Sequence, residues 1–259
     1  MFVLIFLLFW LNYASSSHFN GGTITWQPLD PTDTTSPVSI AITQTYSWVY
    51  TVVQCNQTAV ATQIPINTVY NNNDVVKCIT SCTSGYNYTS VPIARYCTNF
   101  SPILGITNTQ RVDIVQLSAN ASFSIAFTPA SAAYWRPLKA ASSATNTTAT
   151  WSITSTINLN RRADNGLVNT APIGNVISPI EIPLNIPQQI TIPMIDANND
   201  VVKCRWAKKT PINECMDVCP PASLPAGVSL STNCTLFITG AVNDSWYVAA
   251  IMVCRQEYY

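Results

Sequence analysis

The sequence predicts an all-β protein, with two tandem β-sandwich domains that are held by disulfides and preceded by a signal peptide. Three observations support this: many short segments rich in Val, Ile, Thr and aromatic residues, nine cysteines, and an apolar run near the amino terminus. Several segments alternate apolar and polar residues with the period of two that a half-buried strand requires. No segment shows sustained helical periodicity, and seventeen prolines help to separate the strands, as is typical of sandwiches. Strands are expected at 23–26, 38–43, 46–54, 112–117, 122–128, 150–159, 181–186 and 189–195.

The composition argues against several classes of protein. Twelve Lys and Arg residues balance twelve Asp and Glu residues, so the chain lacks the basic surface that nucleic-acid binding needs. Hydrophobic residues make up 47% of the chain, which is enough for a core and argues against disorder. The single histidine, His18, leaves almost no room for a multi-histidine metal site or a histidine triad.

The amino terminus has the pattern of a secretory signal peptide. An apolar run over 2–11 is followed by Ala14 and three serines, which suit a cleavage site. The run is too short for a membrane span, which needs about 20 apolar residues. We therefore expect a signal peptide over 1–17, with cleavage after Ser16 or Ser17.

No later segment is long enough to span a membrane in the chain as given. The longest apolar run, 246–253, predicts a buried strand. The protein is therefore expected to be secreted, or to lie at the cell surface if a carboxy-terminal anchor follows the given sequence.

Nine cysteines in an exported chain predict disulfides. Zinc is the alternative, but Cys78-x3-Cys82 and Cys215-x3-Cys219 lack the Cys-x2-Cys spacing and nearby histidines that zinc sites favour. Four cysteines in each domain allow three pairings, which stay open. Cys254 is the candidate for the odd thiol, either free or bonded to a second chain in a disulfide-linked homodimer. The expected disulfide-forming residues are Cys55, Cys78, Cys82, Cys97, Cys204, Cys215, Cys219 and Cys234.

Seven N-x-Ser/Thr sequons support the same compartment. If they are used, the glycans supply the solvation that the sparse charged residues, 9% of the chain, do not. Pro102 follows the sequon of Asn99, and Cys234 lies inside that of Asn233, so these two are weaker candidates. The predicted N-glycosylation sites are Asn56, Asn87, Asn99, Asn120, Asn146, Asn233 and Asn243.

A repeated hexapeptide suggests two related units. The sequence Asn-Asp-Val-Val-Lys-Cys occurs at 73–78 and again at 199–204, and Cys-Thr-x-Phe follows each copy at 97–100 and 234–237. Coincident turn sequences are the alternative. Under duplication, a polar turn leads into a half-buried strand whose cysteine bonds to a later strand. The predicted domains are 18–160 and 172–259, joined by an exposed linker over 161–171.

Two segments resemble motifs of a group of largely uncharacterised animal extracellular proteins. The segment His18-Phe-Asn-Gly-Gly-Thr-Ile-Thr-Trp26 resembles their H-F-x-G-G-x-I-x-W. The segment Asp196-Ala-Asn-Asn-Asp-Val-Val-Lys-Cys-Arg-Trp-Ala207 resembles D-x-D-G-D-V-V-x-C-R-W-A, which belongs to an Ig-like or cadherin-like sandwich. The resemblance covers most of the mature chain and implies an ectodomain with no established activity. This sequence departs from the group at Asn20, Asn198 and Asn199, where relatives often have Arg, Asp and Gly.

Candidate metal chemistry is limited to one turn. Asp196, Asn198 and Asp200 have the spacing of a calcium loop, but Val201 and Ala207 occupy the positions where an EF-hand needs Gly and an acid. A polar turn between two strands is the favoured interpretation.

Other polar clusters predict no chemistry. The basic cluster is interpreted as a solvated strand end rather than a site for sulfated glycans. The acidic residues do not pair as an acid and a base, and no nucleophile or nucleotide-binding motif occurs. The tryptophans are expected to be core anchors rather than a sugar platform. The basic cluster consists of Lys203, Arg205, Lys208 and Lys209. The acidic residues are Glu181, Glu214, Asp217 and Asp244. The tryptophans are Trp26, Trp48, Trp135, Trp151, Trp206 and Trp246.

The sequence therefore predicts a non-catalytic recognition or adhesion module, with no cofactor and with an extracellular protein or glycan as its partner. The alternative is a structural component of an extracellular matrix or coat, cross-linked through Cys254. A secreted hydrolase would need a carboxylate pair, or a nucleophile with its base, and neither constellation is found.

Overall fold

The structure is a computed structural model that describes residues 19–33, 35–66, 74–93, 96–129, 138–139, 146–147, 149–174 and 178–255. Strands dominate, which confirms the all-β class, and the one α-helix in these ranges is the short α1 (Gln57–Thr62). In chain order the strands are β1 (Phe19–Pro28), β2 (Val38–Val49), β3 (Val75–Thr80), β4 (Val91–Pro92), β5 (Tyr96–Ser101), β6 (Ile106–Leu117), β7 (Ser122–Phe127), β8 (Leu138–Lys139), β9 (Asn146–Thr147), β10 (Ile153–Asn158), β11 (Ile173–Gly174), β12 (Pro187–Thr191), β13 (Met194–Ile195), β14 (Val202–Trp206), β15 (Ser229–Leu230), β16 (Thr235–Thr239) and β17 (Ile251–Arg255).

Two four-stranded antiparallel sheets form the amino-terminal part. The first has the spatial order β1-β2-β6-β5, and the second has the order β10-β7-β3-β4. Inward side chains of both sheets belong to one continuous core cluster. The indole N–H of Trp26 on β1 donates to the carbonyl of Thr156 on β10 at 2.8 Å, which joins the two sheets directly.

An aromatic cluster occupies the centre of this core. The ring of Phe19 stacks on Trp151 with centroids 4.1 Å apart and an interplanar angle of 7°. Trp48, Tyr46 and Phe127 meet the Phe19 ring at its edges, with centroids 5.0, 5.8 and 6.3 Å away. Aromatic pairs in these geometries stabilise a core beyond the area that they bury.

The amino-terminal motif is explained by packing. Ile24 and Trp26 face the core, as the alternation of β1 requires. A Cβ on Gly22 would lie 2.3 Å from Cδ1 of Tyr46 and 2.5 Å from the carbonyl oxygen of Thr45, so only glycine fits there. The motif therefore fixes β1 against the aromatic cluster.

Residues beyond 172 form smaller sheets, with the orders β11-β13, β12-β16-β15 and β14-β17. Their own core cluster has only three buried residues, Ile192, Cys204 and Cys234, with four half-buried neighbours around them. Ala207, Cys215, Val218 and Val248 pack instead into the large amino-terminal core. The division of the chain at 161–171 stays a prediction, but the two parts share a core across it.

In the segment 161–171, Arg161 and residues 163–166 are exposed, whereas Val168 and Thr170 are buried. The side chain of Arg162 is only 8% exposed, because it pairs with Asp164 and Asp200. The guanidinium of Arg161 donates to the carbonyls of Gly166 and Asp33. These bonds hold the segment against both parts of the molecule.

Several strands differ from their expected bounds. The expected strands 38–43 and 46–54 form one strand, β2, because Gln44 points inward and donates from its side-chain amide to the carbonyl of Pro92 at 2.8 Å. The expected strand 181–186 contains only a single bridge, between Leu184 and Gly240. Pro183 lies in this segment and has no N–H to donate to a ladder.

Candidate recognition surface

Four disulfides join the eight cysteines named from the sequence, and Cys254 is a half-buried free thiol. Both close pairs, 78/82 and 215/219, are bonded, which removes the zinc alternative. The pairs are Cys55–Cys97, Cys78–Cys82, Cys204–Cys234 and Cys215–Cys219.

The two copies of the repeated hexapeptide use their cysteines differently. Cys204 bonds to a cysteine 30 residues later, as expected, whereas Cys78 bonds to Cys82 only four residues on. Ser81 has a left-handed φ of 58°, which turns the chain back directly after β3. The expected staple between β3 and a later strand is therefore wrong, and Cys97 pairs with Cys55 instead.

All the sequon asparagines whose side chains are described are exposed, and the side chain of Asn146 lies outside the described set. Asn56 also caps α1, since its side-chain oxygen accepts from the N–H of Ala59 at 2.7 Å. Asn87 ends a 3₁₀ turn with a left-handed φ of 60°. Exposure leaves these sites open to glycosylation, which stays a prediction.

In the turn at Asp196–Asp200, side-chain oxygens accept hydrogen bonds from backbone N–H groups. One carboxylate oxygen of Asp196 accepts from the N–H groups of Asn198 and Asp200 at 2.9 and 3.0 Å. The side-chain oxygen of Asn198 accepts from the N–H of Thr170 at 2.7 Å. Asn199 has a φ of 58°, the left-handed conformation that Asn adopts more readily than most residues other than glycine.

Two guanidinium groups neutralise the last carboxylate of that turn. Asp200 pairs with Arg162 at 2.7 Å and with Arg255 at 3.3 Å. Within the described ranges, no group of three His, Cys, Asp or Glu residues could hold a metal ion. The turn therefore links 162, 200 and 255; the second carboxylate oxygen of Asp196 is buried without a hydrogen-bond partner in the described part of the chain, so the calcium alternative stays open.

Two of the four residues in the basic cluster, Arg205 and Lys209, form ion pairs. The guanidinium of Arg205 contacts both carboxylate oxygens of Glu214 at 2.8 Å, and this hydrogen bonding raises the pKa of Arg205. Lys209 lies 3.6 Å from Asp217. Sequence reasoning missed these pairs, because residues nine apart in a loop-rich chain give no periodic signal.

The clearest candidate surface lies on β6, where the usual alternation is reversed. Val112 and Ile114 point outward and are 55% and 64% exposed, whereas Arg111 and Asp113 point inward as an ion pair of 2.7 Å. The side-chain amide of Gln44 also lies 3.5 Å from Asp113. Apolar groups outside and charged groups inside are the opposite of what a plain sandwich strand needs.

A shallow depression of about 340 Å³ adjoins Val112. The Arg111 guanidinium lies 5.7 Å from the centre of the Tyr96 ring, and Gln63 donates to the carbonyl of Cys97 at 3.2 Å. The Cys55–Cys97 disulfide fixes this wall. The lining residues are Gln63, Tyr96, Thr98, Gln110, Arg111 and Val112.

Together, the depression and the outward face of β6 form a surface that sequence patterns did not reveal. Only the run Arg111-Val-Asp-Ile114 could have signalled it, and such a run does not say which residues face inward. In the part of the chain that is described, no helix is long and apolar enough to cross a membrane. No family model, curated protein or solved structure matches the chain, so its function is argued from this surface.

Proposed function

We propose that the protein is a secreted, N-glycosylated ectodomain of tandem Ig-like or cadherin-like sandwiches that acts as a non-catalytic recognition or adhesion module. Its ligand is an extracellular protein or glycan, and the β6 surface (Val112, Ile114 and the adjoining depression) is the contact. The observation that supports this most directly is the outward position of two β-branched side chains beside uncharged polar ones. Exposed apolar groups within a polar rim are typical of binding sites.

The ion pair beneath this surface supports the same proposal. Arg111 and Asp113 are half-buried on the other face of β6, and Nε and Nη2 of Arg111 both donate to the same carboxylate oxygen of Asp113, at 3.0 and 2.8 Å. A contact surface that is fixed before binding loses little conformational entropy on association. The chain is therefore well suited to surface complementarity in which no bond is made or broken.

The test is binding of the purified, glycosylated protein to cells, with Val112→Asp and Ile114→Asp introduced together. We expect binding to fall at least about tenfold, since a charge would be buried against the partner. The control is Ile195→Asp, which adds the same charge at another exposed isoleucine, on β13, and should leave binding unchanged. Equal loss in both variants, or in neither, would remove the β6 surface as the contact.

The environment of the free thiol argues against the matrix or coat alternative, in which Cys254 cross-links two chains. Cys254 is half-buried on β17, and burial raises its pKa, so little reactive thiolate forms near neutral pH. The non-reduced mass of the secreted protein separates the two functions. A monomer with eight oxidised cysteines supports recognition, and a dimer that Cys254→Ser abolishes supports the coat.

A further inference from the structure

The hairpin between β5 and β6 ends in two aliphatic side chains that are exposed to solvent. Ile103 is 97% exposed and Leu104 is 71% exposed, the two highest values among the large apolar residues of the described ranges. They occupy the tip of the turn Pro102-Ile-Leu-Gly105, beyond the last paired residues of the two strands. An aliphatic pair in this position buries nothing within its own chain.

The backbone of the tip meets most of its hydrogen-bonding needs internally. The N–H of Leu104 donates to the hydroxyl of Ser101 at 3.2 Å, and the N–H of Gly105 donates to the carbonyl of Pro102 at 3.3 Å. Pro102 has no N–H, and the carbonyl of Gly105 accepts from Tyr50 at 2.9 Å. Within the described ranges, the N–H of Ile103 and the carbonyls of Ile103 and Leu104 have no such partner, so these groups must stay within reach of water.

The base of the hairpin is aromatic and uncharged. The rings of Tyr50 and Phe100 stack with centroids 6.1 Å apart. No charged residue occurs from Cys97 to Gln110. Aromatic residues at the base and aliphatic ones at the tip match the change from headgroups to acyl chains at a bilayer surface.

We propose that this tip, Pro102–Gly105, inserts shallowly into the outer leaflet of a lipid bilayer and orients the protein on a membrane. Lipid is favoured over a protein pocket because the aliphatic tip and the aromatic, uncharged base follow the order of acyl chains and headgroups, while the unpartnered backbone groups of Ile103 and Leu104 limit the tip to a shallow position. The absence of cationic side chains selects neutral phospholipid rather than anionic lipid. Two side chains make the contact weak and reversible. The site is separate from the β6 surface, so its failure would leave the recognition proposal untouched.

The experiment places a tryptophan at the tip, as Leu104→Trp, and mixes the glycosylated protein with phosphatidylcholine vesicles that contain brominated acyl chains. We expect a blue shift and quenching of the added fluorescence. Ile195→Trp, at an exposed aliphatic position on β13 and outside both proposed surfaces, is the matched control and should not be quenched. The wild-type protein gives the background, which includes the half-buried Trp206 and Trp246.

A second arm tests the aliphatic pair without a reporter. Ile103→Asp with Leu104→Asp should lower vesicle co-sedimentation by about tenfold or more, since charges are costly in the acyl region. Ile195→Asp should have no effect. The absence of quenching at 104, or quenching only after the glycan at Asn99 is removed, would overturn the proposal for the secreted protein. Loss of cell binding in the tip variant without any vesicle binding would assign the tip to a protein pocket instead.

Discussion

The amino-terminal sheets and the sheets beyond residue 172 are stabilised by different means. The first part has a continuous core built around Phe19 and Trp151, with aromatic rings in contact on several sides. The core cluster of the second part has three buried residues, two of which are the halves of the Cys204–Cys234 disulfide, and Leu224, Leu236 and Ile238 are buried outside that cluster. Large apolar side chains such as Ile195 and Phe237 remain exposed there.

This difference shows how a chain compensates for a thin core. Small units bury too little apolar surface to outweigh the entropy of folding, and disulfides make up the deficit by restricting the unfolded chain. The ion pairs of Arg162 and Arg205 add further links, either within the second part or to it. Each part has two disulfides, so these links supply a larger share of the stabilisation beyond residue 172, where the local core cluster contains no aromatic ring.

The strongest test of the comparison is Phe19→Ala. Removing the ring leaves a cavity against Trp151 and should lower the free energy of unfolding by about 4 kcal/mol. Ile114→Ala, which shortens an exposed side chain on β6, should change it by less than about 0.5 kcal/mol. Denaturant unfolding monitored by tryptophan fluorescence gives both values. Similar losses in the two variants would mean that the aromatic cluster is not the main source of stability.

The second test removes the Cys204–Cys234 disulfide with a pair of alanines. This disulfide spans 30 residues, and its loss should cost about 3.5 kcal/mol by the loop-entropy relation. The matched control removes Cys78–Cys82, whose short loop predicts about 2 kcal/mol. Hydrogen exchange should show lost protection in β12, β14 and β16 while β2 and β6 stay protected. Equal loss in β2 and β6 would mean that the two parts unfold as one unit.

The smallest expected effect is on the stability of the fold at acidic pH. The hydrogen bond from Arg162 lowers the pKa of Asp164 from 3.8 to about 2. Because the folded-state pKa is lowered, this pair stabilises the fold at pH values above about 4, and the stabilisation disappears as the pH falls towards 2. Asp164→Asn should therefore reduce the difference in melting temperature between pH 5 and pH 2.5. An unchanged difference would show that solvent screens the exposed carboxylate completely.

Sequence patterns predicted well which segments form strands and which cysteines form disulfides. They predicted less well which cysteines bond to each other and which strand faces point inward. β-branched and aromatic residues with alternation identified β7 and β10, although both faces of β7 are buried beyond Ser122. The pairing of Cys78 with Cys82 depended on a left-handed Ser81, which no sequence rule favours. The inward ion pair of β6 was also hidden, because alternation gives the period of a strand and not its inward face.

The position of Phe19 has a consequence for biogenesis. With cleavage after Ser16 or Ser17, this ring belongs to the second or third residue of the mature chain, directly beside the newly made amino group. Trp151, on which it stacks, emerges far later during translocation. If the chain is exported as proposed, the first strand waits for that ring until residue 151 has crossed the membrane. Removal of the proposed signal peptide is then expected to precede closure of the core around Phe19.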